Sequence, residues 1–505
     1  MKIARYSCLS ITLIASFSIA FGQKKPSRPN IIFLMSDQQR WNYIGKIDPG
    51  VKTPALDDIA KDGVIFSQAV CQAPMCVPSR YSLMTGLYPS SVGVFRNGES
   101  LSDENMPCDA LPEVLRKAGY QTAGFGKTHW SSQNCSTRGF DVRYIGHGHD
   151  VNEEKGAVMM VDDNPDGFKR YNEETKNFGS GEERPEGYLG ITSKVSEGDH
   201  RDGWVFNECL KFLDNGVDAK KPLFLYLSFL KPHAANNIPQ GYEDLYNPED
   251  MPVPEQPSYN QVEPNHATGT NRESMYRNFW SKADKKQWQQ MILRYRANCT
   301  WIDSMFGRVM DKLKAKGLLD NCLIIFVSDH GEMLGERYYR FNKYCLFENS
   351  VRIPMILGGT VIPKEKRGTI DKRPAELIDI FPTIMKVSGI TNNIDKPGLD
   401  LLGRKQKVAS YCEIHERKDT ASYMWRNNDF KLIISVKRKE KDATSIASKD
   451  VIAGELYDLR SDEREWNNVY NTEKYAVIQK QMSKALLEHI GKIKPHVIKT
   501  PITSK

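Results

Sequence analysis

Several residues with reactive or conformationally restricted side chains stand close together in the segment QAPMCVPSRYSLMTG, residues 72–86. They are Cys76, Pro78, Ser79 and Arg80, followed by Thr85 and Gly86. A buried structural cysteine has no need of an arginine four residues later, and a disulfide cysteine has no need of an intervening Pro-Ser pair. The order of these residues therefore indicates a chemical role for Cys76.

Ionisable side chains also follow three long apolar runs. The runs are NIIFLMSDQQR (30–40), LFLYLSFLKPH (223–233) and CLIIFVSDHGE (322–332). The polar residues at their ends are Asp37 and Gln38, His233, and Asp329 and His330. Continuous apolar runs are typical of buried parallel strands. Because open α/β sheets bind ligands outside the carboxyl ends of their strands, we expect these side chains to lie at that edge of a sheet.

Helical and strand patterns alternate around these runs. Apolar residues at spacings of three and four predict a helix in RYRANCTWIDSMFGRVMDKLKAKG (Ile302, Phe306, Val309 and Leu313). LPEVLRKAGYQTAGFGK predicts a short helix, a turn and a strand that ends at Gly126-Lys127. This alternation predicts an α/β fold with a large, doubly wound, mostly parallel sheet. Residues 151–200, rich in Glu, Asn, Asp and Gly, are expected to form a long surface loop or a lid.

The pattern changes near residue 400. VASYCEI, YMWRNNDFKLIISV and GELYDL are shorter, strand-like segments, and the second contains Asn-Asn-Asp at a predicted hairpin turn. These segments predict a smaller C-terminal antiparallel α+β domain. We therefore expect a signal peptide at 1–22, a large domain at 23–395, a small subdomain at 396–490 and a tail at 491–505.

The N-terminal segment predicts export. Lys2 and Arg5 form a charged start, residues 11–21 are apolar or small, and Ala20-Phe21-Gly22 supplies a cleavage position. This predicts a periplasmic or extracellular protein that does not span a membrane, because the apolar stretch is too short. The net charge of +7 is mild for 505 residues, and no dense basic block with aromatics indicates nucleic-acid binding. The ten cysteines include no CxxC pair, which argues against a zinc ribbon.

The segment from Cys76 to Gly86 resembles the activation signature of the type I sulfatases, which belong to the alkaline-phosphatase-like superfamily. The resemblance covers roughly residues 28–470 and includes RPNIIFLMSDQQ, GYQTAGFGKTHW, LYLSFLKPHAA, FVSDHGEMLGE and KYCLFENSVRIPMIL. It implies that residues 23–395 form a catalytic sulfatase domain. It also implies that a formylglycine-generating maturation enzyme oxidises Cys76 to Cα-formylglycine, an aldehyde.

The resemblance further implies a divalent cation, Ca²⁺, with Mg²⁺ as the alternative ion. Its ligands would be Asp37, Gln38, the modified Cys76, Asp329 and His330, which offer mainly hard oxygen donors. Two positions depart from the commonest family pattern. Gln38 stands where a second aspartate is frequent, and His330 stands where asparagine is common. Both side chains can coordinate a metal, but the net charge of the site changes.

Sulfate ester hydrolysis needs a nucleophile, cations on the sulfuryl oxygens and a proton for the leaving alkoxide. One hydroxyl of the hydrated aldehyde would attack sulfur, and deprotonation of the other would expel sulfate from the hemiacetal that results. The resemblance implies that Arg80 and Lys127 hold the hydrate and its developing charge. It implies His129 as the base that breaks down the hemiacetal, and His233 and Lys343 as groups that bind sulfate and donate the leaving-group proton.

Three functions stay open at this point. The first is hydrolysis of sulfate esters on sulfated carbohydrates, such as glycosaminoglycan or mucin fragments. The second is a phosphodiester or phosphonate hydrolase of the same superfamily, because the same cationic groups suit either anion. The third is a non-catalytic glycan-binding relative on a decayed enzyme fold, against which the complete set of site residues argues.

Overall fold

The computed structural model describes residues 28–130, 135–147, 154–176, 184–257, 270–391, 396–417, 420–437, 446–495 and 503–504. The predicted signal peptide lies outside these residues, as does most of the predicted tail. Within the described ranges, no helix combines the length and the apolar character that a membrane span requires.

The larger sheet has nine strands in the order β9-β2-β8-β7-β1-β6-β3-β4-β5. Numbered along the chain, they are β1 (Asn30–Asp37), β2 (Val64–Phe66), β3 (Gln121–Gly126), β4 (Val142–Ile145), β5 (Val158–Met159), β6 (Leu223–Pro232), β7 (Cys322–Ser328), β8 (Met355–Gly358) and β9 (Thr369–Asp371). The three apolar runs form β1, β6 and β7, and every residue of β1 and β7 is buried.

Four parallel strands occupy the middle of this sheet, in the order β7, β1, β6 and β3. β1 pairs in parallel with both β6 and β7, and Ser36 lies opposite Ser328. The carboxyl ends of the four strands therefore reach one edge of the sheet, which we call the carboxyl edge. β8 runs antiparallel to its neighbours β7 and β2, so the sheet is mostly parallel, as predicted.

Helices cover both faces of the sheet. Those of seven or more residues are α1 (Pro54–Lys61), α2 (Cys76–Thr85), α3 (Leu111–Lys117), α4 (Pro165–Thr175), α5 (Arg201–Asn215), α6 (Thr270–Trp280), α7 (Lys285–Ala315), α8 (Ile380–Val387) and α9 (Ala476–Ile490). Side chains alternate along β1, so Phe33 packs in a core with α2, α3 and α8. Leu34 packs in the opposite core with α1, α5 and α7. The predicted helix around Phe306 lies within α7.

Shorter elements connect these layers. Short helices lie at Pro89–Val92, Met160–Asp163, Glu186–Leu189 and Glu348–Val351. Glu336–Tyr339 forms a turn in which Arg337 and Tyr338 have left-handed backbones. Pairs of two-residue strands join Ala69–Val70 to Ala375–Glu376, Glu99–Ser100 to Thr503–Ser504, Cys135–Ser136 to Glu154–Lys155, and Ile191–Thr192 to Asn237–Ile238.

The prediction of a long loop over residues 151–200 is wrong for much of that segment. It contains α4, which begins at Pro165 behind the N-cap residue Asn164. The Asn164 side chain accepts a hydrogen bond from the Gly167 N–H, and proline is favoured at the first helical position. The polar segment lacks the apolar periodicity that predicts a helix. Only the capping residue Asn164 and the following Pro165 indicate where this helix begins.

A separate four-stranded antiparallel sheet lies in the C-terminal part of the chain. Its strands are β10 (Ser410–Arg417), β11 (Thr420–Arg426), β12 (Phe430–Lys437) and β13 (Val451–Asp458), in that order. Arg426 pairs with Lys431 across the predicted Asn-Asn-Asp turn. Helix α9 packs in the core of this sheet. The predicted fold class, an α/β domain with a smaller antiparallel α+β domain, is confirmed.

Candidate active site

Helix α2 explains the spacing between Cys76 and Arg80. Cys76 is the first residue of α2, where the helix dipole favours negative charge. Pro78 is tolerated in the first turn because the N–H that proline lacks would have no partner within the helix. Arg80 follows one turn later, on the same helix face as Cys76. Gly86 ends the helix with φ at +66°, a left-handed conformation that favours glycine.

The buried guanidinium of Arg80 joins two carboxylates at the carboxyl edge. One terminal nitrogen donates to Asp37 Oδ2 at 3.0 Å, and Nε donates to Asp329 Oδ2 at 2.8 Å. The other terminal nitrogen donates to the carbonyl of Lys127 at 2.6 Å and to Ser228 Oγ at 3.0 Å. Burial alone would lower the pKa of Arg80, but Asp329 and its other partners raise it, so the side chain stays a cation.

The two aspartates lie side by side because β1 and β7 are paired in register. Arg80 occupies one oxygen of each carboxylate, and the other oxygens face the thiol and imidazole. Asp37 Oδ1 is 3.8 Å from Cys76 Sγ, and Asp329 Oδ1 is 3.6 Å from His330 Nε2. One ligand atom from each of these four residues lies within 4.8 Å of the others. This donor set can hold a metal ion, and its carboxylate oxygens suit Ca²⁺ or Mg²⁺.

His330 presents a nitrogen lone pair to the same group. Its Nδ1 lies 2.9 Å from the carbonyl of Gly331, which can only accept, so Nδ1 carries the proton in the neutral ring. Its Nε2 lies 3.2 Å from Cys76 Sγ. Burial lowers the pKa of His330, but Asp329 and Cys76 outweigh burial and raise it. A hydrogen bond that fixes the other ring nitrogen is usual for metal-bound histidines, so His330 fits a ligand role.

Gln38 follows β1 with φ at +63°, an uncommon conformation for a residue other than glycine. Its backbone N–H donates to Asp329 Oδ1 at 3.0 Å. Its side-chain Oε1 accepts from Lys343 Nζ at 2.8 Å, and its Nε2 donates to Glu332 Oε2. Hydrogen bonds therefore fix both the oxygen and the nitrogen of the Gln38 side-chain amide.

Lys343 is fully buried and reaches three groups of the site. Its Nζ lies 2.8 Å from Gln38 Oε1, 3.3 Å from Cys76 Sγ and 3.1 Å from His233 Nε2. His233 Nδ1 lies 2.6 Å from the carbonyl of Ala234, so Nδ1 carries a proton and Nε2 accepts from the ammonium group. The two residues that the resemblance places on the leaving-group side are therefore hydrogen-bonded to each other.

Lys127 and His129 follow β3. Lys127 Nζ lies 2.5 Å from Asp37 Oδ2. Burial raises the pKa of Asp37, but nearby cations, with Lys127 the strongest, hold it well below its usual range. His129 has φ at +54°, and its ring lies near the side chain of Cys76. Burial and the charge of Lys127 lower the pKa of His129, so its ring is neutral at physiological pH and can accept a proton.

Cations dominate the surroundings of Cys76. Burial and the Asp37 carboxylate raise the pKa of the thiol, but Lys127, Lys343 and His330 together bring it well below its ordinary value. The site therefore stabilises negative charge at this position.

The structure brings all ten predicted site residues into one cluster around Cys76, which comprises Asp37, Gln38, Cys76, Arg80, Lys127, His129, His233, Asp329, His330 and Lys343. Sequence reasoning gave no role to Glu332, although it stands two residues after His330 in the quoted motif. It also gave no role to Lys231. Lys231 Nζ donates to the carbonyls of His233 and Ala235 and so supports the turn that carries His233, and burial lowers its pKa to about 8.

Comparison with protein families identifies the chain. The sulfatase family model matches residues 29–390. The chain belongs to the sulfatase family. A second model, for the C-terminal region of N-sulphoglucosamine sulphohydrolase, matches residues 335–492 of this sulfatase. The enzyme is thus a sulfuric ester hydrolase by family.

Named relatives align over most of this sulfatase. It is 28% identical over 486 residues to an arylsulfatase of Clostridium perfringens, covering 92% of this chain and 94% of the relative. It is 26% identical over 547 aligned positions to an N-acetylglucosamine-6-O-sulfatase of Bacteroides thetaiotaomicron, covering 95% of this chain and 89% of the relative.

Solved structures share the fold of this sulfatase. A phosphonate monoester hydrolase of Agrobacterium radiobacter superposes with a TM-score of 0.73 at 20% identity, covering 95% of this chain and 100% of the other. A protein in complex with its substrate D-glucosamine-2-N,6-O-disulfate superposes with a TM-score of 0.66 at 20% identity, covering 92% of this chain and 97% of the other. At these identities the similarity establishes the architecture alone.

Proposed function

We propose that this sulfatase hydrolyses sulfate esters of sulfated carbohydrates, with a formylglycine at position 76 and a divalent cation beside it. The observation that carries the proposal is the convergence on one side chain: Lys343 Nζ and His330 Nε2 lie 3.3 Å and 3.2 Å from Cys76 Sγ. A structural cysteine would not require this concentration of buried charge.

Two chemical groups complete the proposed site. Formylglycine supplies a hydrated aldehyde whose hydroxyl is a nucleophile at neutral pH, and a divalent cation supplies charge that polarises it and a sulfate oxygen. In the structure, Cys76 Sγ stands where the oxygen substituents of formylglycine would be. The carboxylates of Asp37 and Asp329, the imidazole of His330 and the amide oxygen of Gln38 would hold the cation.

Arg80, Lys127 and His129 act on the nucleophile side of the proposed site. Arg80 fixes the two carboxylates, since each of them accepts one of its N–H groups. Lys127 adds a buried positive charge that stabilises negative charge next to residue 76. His129 has a lowered pKa and lies near the side chain at position 76, so it is suited to accept a proton from there.

His233 and Lys343 act on the leaving-group side. Lys343 Nζ can supply a proton, and His233 Nε2, 3.1 Å away, can accept it. The pair can therefore bind a sulfate oxygen and pass a proton to the departing alkoxide. Such assistance matters most for sugar alkoxides, which are poor leaving groups.

The substrate, location and maturation of the protein belong to the same proposal. The relative named N-acetylglucosamine-6-O-sulfatase and the neighbour bound to a disulfated glucosamine support a sulfated saccharide as the substrate class. The charged and apolar N-terminal segment supports export to the periplasm or beyond. A formylglycine-generating enzyme would modify Cys76 before the site is complete.

The proposal is tested by assaying protein from its native host on sulfated disaccharides of defined sulfate position, an aryl phosphodiester and a phosphonate monoester. We expect the highest kcat/KM on one of the sulfated saccharides, and no turnover by the matched Cys76→Ala variant. Preference for a phosphoryl substrate would support the alternative hydrolase. Saccharide binding without turnover would support a non-catalytic relative.

A further inference from the structure

We propose that Glu332 is a positioning residue for the candidate cation site: it orients the amide of Gln38. This inference rests on the cation site of the proposed function. It concerns a residue outside the predicted ligand set.

Glu332 is completely buried, and both of its oxygens are bound by donors. Oε1 accepts the backbone N–H groups of Leu334 at 2.9 Å and Asn342 at 2.5 Å. Oε2 accepts from Gln38 Nε2 and from the Tyr188 hydroxyl, the latter at 3.0 Å. Four donors therefore hold the Glu332 carboxylate in one position.

The partners of Gln38 determine which way its amide points. The other partners of Glu332 all donate to it, and Gln38 Nε2 donates to its Oε2, so the NH2 group of the amide faces Glu332. An ammonium group can only donate, so the side that faces Lys343 must be the carbonyl oxygen. Because Lys343 Nζ is also 3.3 Å from Cys76 Sγ, the amide oxygen is presented to the reaction centre.

The position of the amide decides whether its oxygen can serve as a ligand. Without Glu332 to accept from Nε2, the Gln38 side chain would be free to turn, and its oxygen would no longer be held towards the site. A change to such an outer partner typically weakens metal affinity by about 10- to 100-fold.

The test measures Ca²⁺ binding rather than turnover. Matured protein is stripped of bound metal with EDTA and titrated with CaCl2 in a calorimeter. We expect Glu332→Gln to weaken binding at least about tenfold. The matched control is Glu336→Gln, four residues away, whose carboxylate pairs with Arg40 instead. It should bind Ca²⁺ as the wild type does.

A second variant keeps the proposal testable if Glu332→Gln folds poorly. Gln38→Glu would set two carboxylates against each other and should weaken Ca²⁺ binding. Combining it with Glu332→Gln restores one amide and one carboxylate, so the double variant should regain folding and bind at least about tenfold more tightly than Gln38→Glu alone.

The outcomes separate the two proposals. No Ca²⁺ binding by the wild type, with Mg²⁺ also inactive as titrant, would contradict the cation site of the proposed function. Wild-type binding together with unchanged binding by Glu332→Gln, or a double variant no better than Gln38→Glu, would overturn the role of Glu332 and leave the cation site intact.

Discussion

Two clusters of buried charge in this molecule differ in what their charges face. At the carboxyl edge, carboxylates and cations surround the side chain of Cys76. Between the two domains lies a second group, which we call the junction cluster: Glu348, Arg352, Arg426, Lys431 and Glu465. Both clusters take charge out of water, which is costly unless the charges are paired.

In the junction cluster, three cations share the carboxylate of Glu348. Glu348 Oε1 accepts from Arg426 at 2.7 Å and from Lys431 at 3.2 Å, and Oε2 accepts from Arg426 at 2.9 Å and from Arg352 at 3.2 Å. Burial raises the pKa of Glu348, but these cations, with Arg426 the strongest, lower it far more. At the carboxyl edge, by contrast, the charges converge on a reactive side chain. The junction cluster therefore stabilises the contact between the two domains by ion pairs. The charges at the carboxyl edge instead surround the side chain on which the proposed reaction takes place.

A variant at the carboxyl edge should therefore lose activity, and a variant in the junction cluster should lose stability. The largest effect is the loss of activity expected for Cys76→Ala. Loss of the nucleophile should lower kcat by more than about 10⁴-fold, with little change in thermal stability. The measurement pairs turnover of an aryl sulfate with a melting curve. Cys412→Ala, at a buried cysteine of β10, is the control and should keep kcat near that of the wild type. Equal losses of activity in Cys76→Ala and Cys412→Ala would contradict the special chemical role of Cys76.

The second effect is on stability. Glu348→Gln removes the carboxylate that three cations share, so we expect the free energy of unfolding to fall by about 3–5 kcal/mol. The folded fraction should keep its kcat. The control is Glu255→Gln at the exposed ion pair with Arg464, which should change stability by less than about 1 kcal/mol. Urea unfolding gives both values, and a destabilisation no larger than that of the control would contradict the role assigned to the junction cluster.

The contrast between the clusters also shows what sequence can predict. Asp37, Asp329 and His330 were predictable because each follows an apolar run, and strand pairing then brings them together. The left-handed backbones of Gln38 and His129 leave no sequence signal, because such conformations are imposed by the surrounding structure.

The junction cluster illustrates a further limit. Glu348 and Arg426 are 78 residues apart and lie in different domains, so their pairing depends on how the domains pack. Neither residue lies in a pattern that indicates a partner. The ion pairs of the junction cluster were therefore not predictable, although the fold class, with its mostly parallel and its antiparallel sheet, was.

A third variant tests the leaving-group side of the carboxyl edge. His233→Ala removes the acceptor that is bonded to Lys343, so kcat should fall by about 10²- to 10⁴-fold on a sugar sulfate. On nitrophenyl sulfate, whose leaving group needs no proton, the loss should be much smaller. Parallel kinetics on the two substrates give the ratio, and equal losses would show that His233 does not assist departure.

The smallest expected effect concerns acid stability in the C-terminal domain. Burial, aided by Lys407, lowers the pKa of His489 to about 4, below its ordinary value of 6.5. The unfolded chain then takes up the proton first, so this residue costs stability as the pH falls from 6.5 towards 4. Between pH 7 and pH 5 the loss should be about 1–2 kcal/mol.

His489→Phe should remove this part of the pH dependence, because phenylalanine can fill the space between Tyr411 and Trp425 without titrating. Urea unfolding of both proteins at the two pH values provides the measurement. If the variant loses as much stability between pH 7 and pH 5 as the wild type, the acid sensitivity arises elsewhere.

The central claim is that the charges at the carboxyl edge serve an aldehyde at position 76, and peptide mass analysis of active protein from the native host tests it most directly. The account predicts that the peptide ending at Arg80 has the mass of a chain in which –CH2SH has become –CHO, and that it reacts with a hydrazide probe. A fully active preparation whose peptide still carries the unmodified thiol would contradict it.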